Sequence, residues 1–172
     1  MKLIPRLLLV LALGMTCASI VAAQALQKDY LSDLEADKIR DAETSNEKIK
    51  LFIAFADDRL KKFTYELAHP SQNRHAEMLN YLMNAYIGCV DDAADLMQLG
   101  VEKQENVRPA IDLMVSKSQE FLDILHKISA DAKEIEIYKE NLDDAIEGTE
   151  DAMHDAQKAK KQVAPAPTRR KH

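Results

Sequence analysis

Three histidines in this chain each follow an acidic residue by about one helical turn. The pairs are Glu66 with His69, Asp123 with His126, and Asp151 with His154. Imidazole nitrogens and carboxylate oxygens are common protein ligands of Zn²⁺ and Cu²⁺. If the chain folds as an antiparallel bundle, one end would gather His69, His75 and His126 with Glu66 and Asp123. The sequence therefore allows a metal site there, with a spacing that matches no zinc signature.

The same histidines have a simpler interpretation. His69 and His126 fall in the last turns of predicted helices, where a partial positive charge offsets the helix dipole. An acidic residue three positions away is then an ordinary surface pair. The metal interpretation and the surface interpretation both remain open at the level of sequence.

Paired aspartates form a second set of candidate ligands. They are Asp57-Asp58, Asp91-Asp92 and Asp143-Asp144. Carboxylates on facing helices can hold metals in a bundle core. At about 100° per residue, however, Asp91 lies about 140° from the apolar Tyr86. Lys61 and Lys62 follow the first pair by four residues, which is a favourable surface arrangement. We therefore predict solvated acidic faces and no di-iron site.

Signatures of nucleophilic and cofactor chemistry are missing from the chain. It has no Gly-x-Ser-x-Gly, no glycine-rich phosphate loop and no Cys-x-x-Cys-His for attached haem. We predict no catalytic residue and no cofactor, and we expect a protein that is not an enzyme.

The first 25 residues have the layout of a secretory signal peptide. Lys2 and Arg6 precede the apolar run LLLVLAL, and Ala23-Gln24-Ala25 forms a small-x-small cleavage site before Leu26. The continuous apolar core is shorter than the ~20 residues that a spanning helix needs. We therefore predict export to the periplasm or the extracellular space, with no transmembrane segment after cleavage. An uncleaved anchor is the alternative.

Charge is unevenly distributed along the chain. Residues 158–172 contain six basic and no acidic side chains, whereas residues 26–157 contain 15 basic and 29 acidic ones, a net charge of −14. A nucleic-acid-binding domain carries its basic surface on the folded part. We therefore expect no nucleic-acid partner. The basic tail could touch anionic envelope polymers, or could serve as a solubilising terminus.

One cysteine remains after the predicted cleavage. Cys89 has no partner within the mature chain, so a disulfide framework is excluded. A buried thiol that acts as a small apolar residue is one interpretation. An intermolecular disulfide, and hence a covalent homo-oligomer, is the other.

Four long segments show apolar residues at spacings of three and four, which is typical of amphipathic helices. The stripes are Ile49, Phe52, Ala56, Leu60, Phe63, Leu67; Leu79, Leu82, Tyr86, Val90, Ala93, Met97; Val107, Ile111, Met114, Ser118, Phe121, Leu125, Ile128; and Ile135, Tyr138, Leu142, Ala145 or Ile146, Thr149, Met153, Ala156. None of the segments is apolar all round, so the four stripes are predicted to face one another around a single core.

Capping signals give the predicted boundaries. Thr44 with Glu47, and Ser32 with Glu35, have the spacing of capping boxes, and Asp131 to Glu134 is a similar arrangement. Asn106 and Ser71 are further candidate caps, and Gly100 is a candidate stop.

These elements predict an all-α protein, an up-down-up-down four-helix bundle with a short N-terminal helical arm. The alternative fuses the last two segments into an extended three-helix hairpin. The predicted regions are a signal peptide (1–25), the arm (26–43), the bundle (44–160) and a disordered basic Pro/Ala tail (161–172).

The stretch Asp37 to Phe63, DKIRDAETSNEKIKLFIAFADDRLKKF, resembles a segment of secreted bacterial helical proteins that have no assigned activity. The resemblance implies an exported helical bundle and brings no catalytic residue or ligand. Together with the composition, it leads us to expect an exported, non-enzymatic bundle that binds another protein or an envelope component. A metal-binding bundle using the histidine end is the alternative function.

Overall fold

The computed structural model describes residues 30–163, which are all-α with no strand in that range. The helices are α1 (Asp33–Asp41), α2 (Ser45–Ala68), α3 (His75–Glu102), α4 (Arg108–Asp131) and α5 (Lys139–Gln162), with a 3₁₀ turn at Ile135–Ile137 before α5. The predicted signal peptide lies outside the described residues, as does most of the predicted tail. Within the described range, no helix is both long enough and apolar enough to span a bilayer.

The predicted apolar stripes form the core of the bundle. Nearly every stripe residue is buried, and the exceptions (Leu67, Ile135, Ile146 and Met153) are partly buried. The largest fully buried side chains come from α2, α3, α4 and the region that opens α5. One hydrophobic cluster joins all four long helices. The periodicity therefore predicts the inward face of each helix correctly.

Successive long helices run up, down, up and down. The neighbours in the bundle are α2 with α3, α4 with α5, α3 with α5, and α2 with α4. The first two pairs are antiparallel hairpins, and the other two are parallel neighbours between the hairpins. At the linker end of the bundle, defined by residues 69–74 and 132–138, α2 and α4 finish while α3 and α5 begin.

Short connections predict that consecutive helices are neighbours in the bundle, but the connection between α3 and α4 does not join neighbours. Residues 103–107 cross between helices that lie diagonally opposite in the bundle. A Cβ placed on Gly100 would lie 2.5 Å from Cγ1 of Val107, so this glycine makes room for the returning chain. Gly100 was predicted to stop the helix, but α3 continues to Glu102, and Gln104 takes the left-handed conformation (φ 57°) in the loop.

Two of the predicted capping boxes are confirmed. Thr44 and Glu47 exchange hydrogen bonds at the start of α2, and Ser32 and Glu35 do the same at the start of α1. Local side-chain acceptors satisfy amides that a helix start leaves free.

The other three predicted caps, which are Asn106, Ser71 and the Asp131–Glu134 arrangement, are wrong. Val107 occupies the cap position of α4 in place of Asn106, and an α4 amide is instead satisfied by Asn46 of α2, whose Oδ1 accepts from the amide of Ala110 at 3.0 Å. Helix α3 begins at His75, four residues after Ser71, so Ser71 is not its cap. The amide and hydroxyl of Ser71 donate to Glu66 instead.

The chain between α4 and α5 excludes the three-helix alternative. Asp131 ends α4, Ala132 and Glu134 adopt left-handed conformations (φ 47° and 53°), and α5 begins only at Lys139. Asp131 to Glu134 is therefore a reversal and not a capping box. The Tyr138 hydroxyl donates to the Lys133 carbonyl at 2.6 Å and fixes the turn.

The ends of the bundle also differ slightly from the predicted regions. Helix α5 extends to Gln162, two residues beyond the predicted end of the bundle. Arg108 donates to the carbonyls of Lys160 and Val163, and Lys160 pairs with Asp112 at 2.8 Å. These contacts explain the extension, since they attach the last turn of α5 to the start of α4.

Candidate functional site

The predicted histidine cluster does not form as a unit. The His69 ring stacks on Tyr65 with centroids 4.4 Å apart, and its Nδ1 lies 3.2 Å from the Tyr65 carbonyl. His126 is exposed near the end of α4. Within residues 30–163, no group of three His, Cys, Asp or Glu side chains is arranged to hold a metal ion.

His75 instead forms a bridge between two carboxylates. Its Nδ1 lies 2.8 Å from Glu66 of α2, and its Nε2 lies 3.1 Å from Glu134 of the α4–α5 linker. Ser71 donates to the same Glu66 oxygen from its amide and hydroxyl. We call His75, Glu66 and Glu134 the His75 cluster. The cluster connects α2, α3 and the linker.

The carboxylates change the ionisation of His75. The hydrogen bond with Glu66 raises the pKa of His75 despite partial desolvation, and Glu134 raises it further. The hydrogen bonds from His75 and Ser71 lower the pKa of Glu66 from 4.5 to about 2. A charged imidazole between two carboxylates is the arrangement that these shifts favour.

We expect the His75 cluster to make stability depend on pH. The contribution of His75 to the free energy of unfolding is fully present below pH 6.5, the ordinary pKa of histidine. It is lost as pH rises through the raised pKa of His75 in the folded state. The contribution of Glu66 is present above pH 4.5 and is lost as pH falls towards 2. Urea unfolding of wild type and His75→Gln should therefore show a stability difference that shrinks as pH rises from about 5.5 to above the raised pKa of His75.

His126→Gln is the matched control for this prediction. His126 is exposed on α4, five residues before the helix ends at Asp131, so its replacement should leave the pH dependence close to that of wild type. A difference between wild type and His75→Gln that stays constant over the same pH range would contradict the prediction.

Of the paired aspartates, Asp91, Asp143 and Asp144 are exposed, and Asp57, Asp58 and Asp92 are partly buried. Asp57 pairs with Lys61, and Asp58 pairs with Lys62 at 2.7 Å. Asp143 pairs with Lys139 in the same i, i+4 register. The first pair therefore makes the surface contacts that its spacing predicts.

The thiol of Cys89 is completely buried. A disulfide to a second molecule requires an accessible sulfur atom, and the folded bundle does not offer one. The structure thus agrees with the interpretation of Cys89 as a small apolar core residue.

Arg59 is a buried charge that the sequence analysis missed. The residue is 5 % exposed. Its guanidinium donates to Glu35 of α1 at 2.6 Å, to Asp58 at 2.6 Å and to the carbonyl of Tyr30 at 3.2 Å. The bonds to Glu35 and Tyr30 hold the N-terminal arm on α2, and the bond to Asp58 lies within α2 and orients the planar guanidinium.

The arm also contacts α3. A Cβ placed on Gly88 would lie 2.7 Å from Cε1 of Tyr30, so the glycine admits the tyrosine ring against the helix. Helix α1 itself has no buried residue. The arm is therefore attached to the α2–α3 hairpin chiefly through Tyr30 and the Arg59 bonds.

A sequence signal for Arg59 existed. It lies three residues after Ala56 and four before Phe63, so it falls at the edge of an apolar stripe, where a charge requires a partner. Its main partner, Glu35, is 24 residues away on a separate helix, and no local pattern identifies it.

Large exposed hydrophobic side chains occur on the first three helices. Those that are both large and exposed among residues 30–163 are Leu34, Tyr65, Tyr81 and Leu99, at 66, 64, 48 and 41 %. All four belong to α1, α2 and α3. We call this surface of the α2–α3 hairpin and its attached arm the hairpin face.

The hairpin face extends along the bundle. Tyr81 and Leu99 lie five turns apart on the same side of α3, roughly 27 Å. Gly88, which contacts Tyr30 of the arm, lies between them on nearly the same side. Near the linker end, Tyr65 belongs to a groove of about 320 Å³ whose walls include Lys62, Met78 and Leu82.

No protein-family model, curated protein or solved structure matches this chain. The fold and the surface define its class as an all-α helical bundle with one face that exposes hydrophobic side chains.

Proposed function

We propose that this chain is an exported, non-enzymatic helical bundle that binds another protein or a cell-envelope component through the hairpin face. The supporting observation is the concentration of large exposed hydrophobic side chains on α1 to α3. Exposed hydrophobic patches on soluble proteins commonly mark interaction surfaces. Export is supported by the features of residues 1–25.

Tyrosine is well suited to the centre of such an interface. It offers a large contact area with a hydroxyl that can form hydrogen bonds, and it is enriched among residues that dominate binding energy. Stacking on His69 (interplanar angle 23°) holds the Tyr65 ring at the surface. A ring that is already positioned loses less conformational entropy on binding.

The length of the face supports an elongated partner. Standard interfaces bury about 800 Å² on each partner. A surface that reaches from Tyr81 to Leu99 follows most of the length of α3. A partner helix or extended segment lying along the hairpin would contact all of these positions.

Photo-crosslinking in cells that express the full chain tests the proposal. A photoreactive amino acid at Tyr81 should give a discrete adduct in the exported fraction, and the same group at the exposed Glu147 of α5 should give none. Tyr65→Ala should reduce the Tyr81 adduct by about tenfold, as expected for a strong contact residue.

Two results would refute the proposal. One is equal labelling at Tyr81 and Glu147, which would indicate non-specific contact. The other is a Tyr81 adduct whose yield is unchanged by Tyr65→Ala and by Leu99→Ala, which would place the binding surface elsewhere.

A further inference from the structure

A groove separate from the hairpin face opens at the linker end, between the parallel neighbours α2 and α4. Its volume is about 690 Å³, within the usual size range of small-molecule sites, about 300–1,000 Å³. The walls come from the last turns of the two helices, and Lys133 and Tyr138 of the linker close one side.

The floor of the groove is apolar. Leu67 contributes from α2, Ile124 and Ile128 contribute from α4, and Tyr138 contributes its ring. That ring packs edge-on against Phe63, with centroids 5.1 Å apart, and its hydroxyl donates to the Lys133 carbonyl. The floor is therefore formed by side chains whose positions are already fixed by the core.

The rim of the groove carries positive charge. Lys133 donates to the carbonyl of Leu67, which holds its ammonium group at the rim and satisfies a carbonyl in the last turn of α2. Lys127 is exposed, and no ion pair involves it among residues 30–163. Asp131 also lines the groove, so the rim retains one net positive charge on a strongly acidic chain.

The length of the groove argues for a small ligand. Its α4 wall extends from Ile124 to Asp131, which is roughly 10 Å along the helix axis. Two helical turns are too short for a partner helix to bury the ~800 Å² of a standard interface. An extended chain of several methylene groups fits the same distance.

We propose that this groove binds a free medium-chain carboxylate. The hydrocarbon chain lies on Ile124, Ile128 and Leu67, and the carboxylate accepts from Lys127 at the rim, with Lys133 close by. Burial of the methylene groups favours binding, and the ammonium group orients the ligand. This site is independent of the hairpin face.

Titration of the purified full chain with decanoate tests the proposal. Calorimetry should detect one saturable site, and the methyl resonances of Ile124 and Ile128 should shift with the same affinity. Lys127→Glu should weaken decanoate binding by at least about tenfold. Lys103→Glu, the same charge change on an exposed residue at the opposite end of the bundle, should leave binding unchanged.

A second pair of variants tests where the hydrocarbon chain of decanoate binds. Ala68 is exposed at the end of α2 and lines the groove, so Ala68→Trp should block binding without disturbing the core. Ala130→Trp, on an exposed position of α4 outside the groove, is its control and should bind decanoate normally.

Three outcomes would overturn the proposal. Decanol binding as tightly as decanoate would remove the role of the carboxylate. Equal weakening by Lys127→Glu and Lys103→Glu would show general electrostatic attraction. Binding to phosphatidylglycerol vesicles without binding to free decanoate would indicate a membrane surface in place of a free carboxylate.

Discussion

Phe63→Ala is expected to lower the free energy of unfolding by about 4 kcal/mol. The ring is completely buried and packs edge-on against Tyr138, with an interplanar angle of 85°. Truncation would remove both the buried apolar surface and a contact between α2 and the α4–α5 linker. Urea denaturation followed by circular dichroism measures the loss directly.

Tyr65→Ala is the matched control, because it removes a similar ring from the same helix two residues later. Tyr65 is 64 % exposed, so its truncation should change stability by no more than about 0.5 kcal/mol. Similar losses for the two variants would show that Phe63 does not have the core position described for it.

Arg59→Met is expected to lower the free energy of unfolding by about 2 kcal/mol and to release α1 from the bundle. The methionine preserves much of the buried aliphatic volume but leaves Glu35, whose side chain is 14 % exposed, without its cation. Breaking a buried pair commonly costs about 3–5 kcal/mol. The effect is smaller here because α1 has no buried residue and can carry Glu35 into water.

Hydrogen exchange separates release of the arm from general unfolding. In Arg59→Met, amides of Asp33–Asp41 should lose protection while those of Arg108–Asp131 keep it. Arg40→Met, which removes an exposed arginine paired with Asp37, should leave the protection of both segments unchanged. Uniform loss of protection across both helices would contradict a local role for Arg59.

The contact between Arg59 and Glu35 also sets a lower pH limit for attachment of the arm. Burial alone would raise the pKa of Glu35, but hydrogen bonds from Arg59 and Ser32 outweigh it and lower the pKa from 4.5 to about 2. The arm contact is therefore strongest above pH 4.5 and weakens as pH falls towards 2. Attachment of the arm is thus compatible with neutral or mildly acidic surroundings.

The two proposed binding surfaces share no residue. The hairpin face involves exposed side chains of α1 to α3, and the groove lies between α2 and α4. Tyr65→Ala and Lys127→Glu therefore act on separate surfaces. Failure of one proposal would leave the other standing.

Much of the fold could be predicted from sequence because its signals are local. A capping box such as Thr44 with Glu47 operates within four residues, and the spacing of Phe63, Tyr86 and Leu142 within their stripes reflects the 3.6-residue period of a helix. These interactions require no knowledge of distant chain segments. They determine which residues form helices and which side of each helix is buried.

The candidate sites were less predictable because their contacts join distant segments. His75 was expected near Glu66, His69 and His126. It does contact Glu66, but its second partner is Glu134, 59 residues away, because the left-handed reversal after α4 places that carboxylate beside it. Tyr65 and Tyr81 lie outside the predicted stripes, and only the packed bundle shows how far they are exposed, 64 and 48 %.

By itself, then, the amino-acid sequence determined an all-α chain with four amphipathic helices, their buried stripes and the surface pairs of Asp57 and Asp58. Only the tertiary structure decided that α3 and α4 lie on a diagonal, that Arg59 is buried under α1, and that α2 and α4 leave an open groove. The physical reason is the range of the interactions: periodicity and capping act within a few residues, whereas the choice of neighbouring helices depends on how side chains of distant segments fill one shared core.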